Sequence, residues 1–234
     1  MKDAAALPQR EPGAQGILLG MNNVEPSAEA EFNRWYQQQH LSERLAVPGF
    51  KTVKRYRALE AAQKYLVVYE CESVEVLQSE AYQERLAQPT PWTQTIMPSF
   101  RDTSRTALRE DWVLGNGTGS VIALLHCMPM EGQQTQALNF LSQRLGPELM
   151  ANDSILRVAL WRADNSATGE ATAEMSLRGA PDLRANWVIC AEGIEDVQLG
   201  TALKRLSCIQ TGRSEGLLIN TIDRYQLLCL RAAA

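Results

Sequence analysis

The chain has 234 residues, 45% hydrophobic and 21% charged, a composition that supports one large or two ordinary globular domains with a substantial core. A net charge of −4 and a pI near 5.4 leave no basic footprint for nucleic acid, and no apolar run approaches the roughly 20 residues that cross a bilayer. Five cysteines (Cys71, Cys127, Cys190, Cys208 and Cys229) lie in apolar contexts without a C-x-x-C pair. They suggest neither a disulfide framework nor a metal site, and read as reduced thiols of a cytoplasmic protein.

Residues 1–15 carry charges and two prolines but no apolar signal core, and read as a disordered leader. Gly16 to Met21 is a short buried strand. Ser27 is placed to cap a helix on which Phe32, Trp35, Tyr36, Gln39 and His40 share one face, and Pro48-Gly49 closes that segment. Phe50 to Ala58 and Lys64 to Glu72 form a hairpin. Ser73 caps a helix to about Leu86, Pro89 and Pro91 break it, and a helical piece from Trp92 to Met97 leads to a strand near Thr103 to Leu108. This β-α-β-β-α-β order is the ferredoxin-like unit. Residues 111–119 read as a linker.

The same order then recurs: strand Ser120 to Cys127, helix Gln133 to Leu149, strands Ser154 to Ala163 and Ala185 to Glu192, helix Ile194 to Ser207, strand Leu217 to Leu230. Tyr56 aligns with Trp161 at an offset of 105 (161 − 56), and Phe32-Asn33 with Leu138-Asn139 at 106 (139 − 33). Val67 with Trp187, and Val74-Glu75 with Ile194-Glu195, give 120 (187 − 67). A near-constant offset with one step of 15 (120 − 105) indicates a duplication with an insertion between Asp164 and Leu183. The insertion, rich in Ala, Ser, Thr, Gly and Glu, reads as a mobile loop. Strands with apolar residues on both faces call for burial on both sides. The expected fold is therefore α+β: two ferredoxin-like (βαββαβ) repeats, 16–110 and a degenerate 120–234, packed sheet to sheet as an intrachain α/β-barrel.

Asn33-Arg34-Trp35-Tyr36-x₃-His40-Leu41-x-Glu43-Arg44-Leu45-x-Val47-Pro48-Gly49-Phe50, with Arg55-Tyr56, Pro89-Thr90-Pro91-Trp92 and Met97-Pro98, resembles an uncharacterised bacterial subgroup of the EthD-like proteins in the dimeric α/β-barrel superfamily. The resemblance spans about residues 16–110. It implies a barrel that two chains normally build and that one chain supplies here. Relatives in that superfamily include cofactor-free monooxygenases, polyketide cyclases, lactone isomerases, dehydratases, haem peroxidases and stress-responsive proteins, so the resemblance implies fold more firmly than chemistry. Ser42 stands where proline is frequent, and serine can still cap the next turn.

His40 is the chemical candidate. At a helix end the dipole favours imidazolium and raises its pKa toward the range of a general acid or base. The competing reading is that it caps helix carbonyls or packs beneath Pro48-Gly49. Tyr36, one turn away, would orient a substrate. Tyr56, Tyr69 and Trp92 would wall a pocket or fill core. Arg55 and Arg44 would bind a carboxylate or phenolate, or else sit on a solvated face. At the aligned offsets the second repeat has Leu141 for Trp35, Ser142 for Tyr36 and Gly146 for His40, so Trp35 reads as core. His126 aligns with Gly20 and reads as a satisfied core residue. No cofactor is expected: no dinucleotide, phosphate-loop or metalloprotease signature is present, and neither histidine lies in a haem-ligand signature. Two functional readings stand. One is a cofactor-independent enzyme acting on a small aromatic or apolar molecule, with proton transfer at His40. The other is a non-catalytic ligand-binding or assembly protein of the same fold. Homodimerisation is left open.

Overall fold

A computed structural model describes residues 15–168, 173–178, 183–205 and 213–233. The expected leader falls almost wholly outside these residues, as does Cys208. The chain divides into two compact units, one of residues 15–109, 163–185 and 227–234, the other containing residues 110–162 and 186–226.

The first unit begins with β1 (Gly16–Val24) and α1 (Glu29–Trp35). A five-residue π turn, Tyr36–His40, runs directly into α2 (Leu41–Leu45). The helix therefore does not end at His40, and Ser42 lies inside α2 rather than capping a new turn. β2 (Phe50–Glu60) and β3 (Tyr65–Cys71) form the expected hairpin. Val74–Gln78 is a 3₁₀ turn, and Ser79, not Ser73, caps α3 (Glu80–Ala87) by accepting from Tyr82 N. Thr90 caps α4 (Pro91–Ile96), with Pro91 at its first position. β4 (Phe100–Gly115) is longer than expected, and much of the anticipated linker is strand. β1 pairs with both β3 and β4, and β3 with β2, all antiparallel. This is the ferredoxin-like order β4-β1-β3-β2.

The second unit repeats the pattern. β5 (Val121–Pro129) is followed by α5 (Gln134–Phe140), a π turn at Leu141–Leu145, α6 (Gly146–Met150) and β6 (Ile155–Ala163). β7 (Trp187–Gly193), α9 (Asp196–Arg205) and β8 (Leu217–Ala232) complete it, with β5 between β7 and β8 and β7 beside β6. β3 and β7 are buried along nearly their whole length, which explains their almost unbroken apolar sequences.

The repeated elements fix the register that sequence alignment approximated. The π turns start 105 residues apart (141 − 36), and the bulges after Phe50 and Ile155 differ by the same 105 (155 − 50). The β2–β3 and β6–β7 ladders equate Cys71 with Gly193, an offset of 122 (193 − 71), so the step is 17 (122 − 105) and not 15. His40 corresponds to Leu145, Tyr36 to Leu141, Trp35 to Phe140, and His126 to Met21.

The insertion holds α7 (Asn165–Thr168) and α8 (Ala173–Leu177). Its described parts are tied down, contrary to the expected mobile loop. Asp164 N donates to Ala107 O, Leu183 N to Thr103 O, and Arg105 N to Leu183 O. Among the described residues no helix is long and apolar enough to cross a membrane.

Candidate functional site

Each unit has its own apolar core, and the first encloses a cavity of about 60 Å³. The cavity lies on the face of β1, β3 and β4 that the helices cover. Leu18, Gly20, Val67, Tyr69 and Arg105 reach it from the strands; Trp35, Tyr36, His40 and Arg44 from the α1–α2 helix; Tyr82 from α3; and Glu174 and Arg178 from the insertion. Gly20 makes room, since a Cβ there would stand 3.0 Å from Val67 Cγ1.

His40 is 7% exposed and stacks on Trp35 at 4.1 Å between ring centroids, with the Tyr36 ring edge-on at 5.1 Å. Trp35 itself is fully buried and donates from Nε1 to Thr93 Oγ1 at 3.2 Å, the packing role expected of it. His40 Nδ1 has no hydrogen-bond partner, nor has the buried Tyr69 hydroxyl. The helix-dipole expectation is reversed. Burial, then the cations Arg44, Arg55 and Arg178, hold the His40 imidazole well below its usual pKa of about 6.5. Since the helix continues past His40, its C-terminal partial charge is not there to oppose them. Burial likewise pushes the hydroxyls of Tyr69 and Tyr36 above their ordinary range, so both remain protonated donors.

Arg44 is buried, not on a solvated face. It donates from Nη2 to Glu174 Oε1 and stands 5.6 Å over the Tyr82 ring. Burial opposes its charge, but Glu174 and the nearby tyrosines Tyr82 and Tyr69 win, and its pKa is raised. Arg105 donates to the Tyr82 hydroxyl at 2.8 Å.

Three sequence candidates thus share the cavity wall: His40, Tyr36 and Tyr69. The other three stand outside it. Arg55 is on the same sheet face but one layer behind, 4.3 Å over the Tyr36 ring and donating to Asn33 Oδ1 at 2.7 Å. Tyr56 pairs with Leu66 across the ladder, and strand alternation turns it to the opposite face from Val67 and Tyr69. Trp92 is half-buried, with Nε1 donating to Glu31 Oε1 at 2.8 Å. Glu174, Arg105 and Tyr82 escaped the sequence reading. Only a buried Glu in an otherwise loop-like insertion could have flagged Glu174, and its partner is 130 residues away.

The equivalent positions of the second repeat are apolar. Offset 105 sets Leu125 against Gly20, Leu141 against Tyr36, Leu145 against His40 and Leu149 against Arg44. The ladders set Ala191 against Tyr69 and Ile222 against Arg105. These residues belong to the second core cluster or pack on it.

The fold is that of tandem ferredoxin-like repeats, the architecture of the dimeric α/β-barrel proteins. No family model and no curated protein matches the chain. Solved structures do. An anthrone oxidase-like protein is 13% identical at a TM-score of 0.63, over 97% of this chain and 97% of its own. A provisionally named monooxygenase from Fusobacterium nucleatum is 6% identical at 0.61, over 94% of this chain and 95% of its own. A haem-binding protein from Thermus thermophilus is 10% identical at 0.55, over 95% and 94%. At these identities the likeness is one of fold.

The residues here do not fit haem. Ligand pockets ordinarily hold about 300–1,000 Å³, against a cavity of about 60 Å³ in which His40 lies flat on Trp35. His126 is in the other unit, its Nε2 3.2 Å from Asp223 Oδ2. Among the described residues no group of three His, Cys, Asp or Glu side chains could hold a metal ion.

Proposed function

We propose that the chain is a cofactor-independent enzyme whose first repeat moves a proton on a small aromatic or otherwise apolar molecule, with His40 as the base. The supporting observation is the contrast between the repeats. One scaffold is filled with Leu125, Leu141, Leu145, Leu149 and Ile222; the other keeps Gly20, Tyr36, His40, Arg44 and Arg105 around a void. Buried polar groups with unmade hydrogen bonds cost stability, so the fold does not ask for them.

In this reading neutral His40 accepts a proton at Nδ1. An imidazolium among Arg44, Arg55 and Arg178 is unfavourable alone, but the same cations stabilise the enolate or phenolate left behind. The Tyr69 hydroxyl donates to that oxygen, and Tyr36 orients the ring. Arg55 acts through Tyr36, which it covers. The EthD-like assignment belongs to this reading, as does a cytoplasmic location, which the free thiols of Cys71, Cys127 and Cys229 support.

The test is hydrogen–deuterium exchange in D₂O into a panel of aromatic ketones and phenols, followed by proton NMR. Wild type should exchange a carbon-bound proton and His40→Ala should not. Equal rates for the two proteins would remove the case for His40. The smallness of the cavity favours a second reading, a non-catalytic binder, which predicts ligand shifts without exchange.

A further inference from the structure

Three guanidinium groups, Arg44, Arg105 and Arg178, line the cavity, and a single carboxylate, Glu174, lines it with them. Arg44 takes Glu174 as its partner, while Arg105 is hydrogen-bonded to the uncharged Tyr82 hydroxyl. Burial opposes the Arg105 charge, while Tyr82 and the same Glu174 carboxylate support it, so one carboxylate serves Arg44 and Arg105 alike. Beside them the His40 Nδ1 and Tyr69 hydroxyl, both in side chains more than nine-tenths buried, have no partner. The cavity therefore offers positive charge and hydrogen-bonding groups in excess of what its own residues satisfy.

Glu174 is an unusual occupant. It does not come from the repeat's strands or main helix but from α8, a five-residue helix of the insertion, and it reaches Arg44 across 130 residues of sequence. The corresponding position to Arg44 in the second repeat is Leu149, which calls for no carboxylate. Guanidinium binds carboxylates from any source by the same charge-assisted geometry.

We infer that the cavity binds a small organic anion, whose carboxylate or phenolate oxygen replaces the Glu174 carboxylate on Arg44. Glu174 is then an internal stand-in for the ligand. Its withdrawal frees Arg44 and also enlarges the space, so a ring too large for about 60 Å³ gains entry. The anion's oxygens lie within the field of Arg105 and meet the Tyr69 hydroxyl, while Gly20 leaves room for its apolar body. The inference names the ligand class of the site proposed above; it rests on that cavity and is independent of proton transfer at His40.

The probes are benzoate and its uncharged isostere benzamide, titrated calorimetrically into the full-length protein. Wild type should bind benzoate at least about tenfold more tightly than benzamide. Glu174→Gln removes the competing charge, and should tighten benzoate about tenfold while leaving benzamide unchanged. The double variant Arg44→Gln/Glu174→Gln, which removes both members of that ion pair, and Arg105→Gln should each lose the preference for benzoate. Equal affinity of wild type for the two probes would overturn the inference, as would a benzoate affinity unaltered by Glu174→Gln. His40→Ala should keep the charge preference. Loss of exchange in that variant with the preference intact leaves both readings standing. Exchange without any preference sinks this inference alone, and preference without exchange sinks only the catalytic one.

Discussion

His40 and Arg44 are one turn apart on the same helix, and each is defined by what burial does to a charge. The folded state resists protonating His40, whereas the unfolded chain accepts the proton near pH 6.5. Below that pH the unfolded state binds more protons, so stability present above about 6.5 is lost as pH falls. Thermal unfolding between pH 5 and 7.5 should show this slope in wild type and a shallower one in His40→Leu; parallel curves would show that His40 is not held neutral. Arg44 and Glu174 behave as a pair. Arg44→Met strands a buried carboxylate and should cost about 3–5 kcal/mol in denaturant unfolding, while Arg44→Met/Glu174→Met should recover most of it. A double variant as unstable as the single one would mean that packing, not charge, dominates there.

The helix from α1 to α2 contains a π turn, and so does its counterpart from α5 to α6. The widened turn is thus a property of the fold rather than of the site, although π turns often accompany function. It aims Tyr36 and His40 at the sheet in one repeat, and Leu141 and Leu145 in the other. On the facing strand β1, Gly20 decides whether anything fits between. Gly20→Ala adds a methyl group 3.0 Å from Val67 Cγ1, which must move by a few tenths of an ångström to admit it. Its stability should stay within about 1 kcal/mol of wild type, because the alanine also restricts the unfolded chain. Benzoate affinity should fall, and an unchanged affinity would place the ligand elsewhere.

For the whole molecule the informative fact is the asymmetry between its repeats. If the polar set of the first is held for function, its fold should tolerate the residues of the second. His40→Leu should leave stability at pH 7.5 unchanged or raised, with proton exchange abolished. Leu145→Ala, by contrast, opens a hole in the second core and should cost about 2–5 kcal/mol. A His40→Leu protein as damaged as Leu145→Ala would make the histidine a structural element.

The sequence by itself determined the element order, the repetition and the choice of helix face. These follow from periodicity and local turn chemistry, which are short-range. It marked His40, Tyr36 and Tyr69, because aromatic and polar residues on an apolar face are visible without coordinates. Its register was one residue off in the helices and two in the later strands, since conserved-looking pairs are a coarse ruler beside a shared bulge or π turn. Only the tertiary structure decided that Tyr56 turns away, that the helix runs on past His40, and that the insertion returns to set Glu174 on Arg44. Each depends on which distant groups share a low-dielectric space. There, the pKa of His40 is set by burial and by three arginines, Arg44 one turn along its own helix and Arg55 and Arg178 brought in from distant parts of the chain.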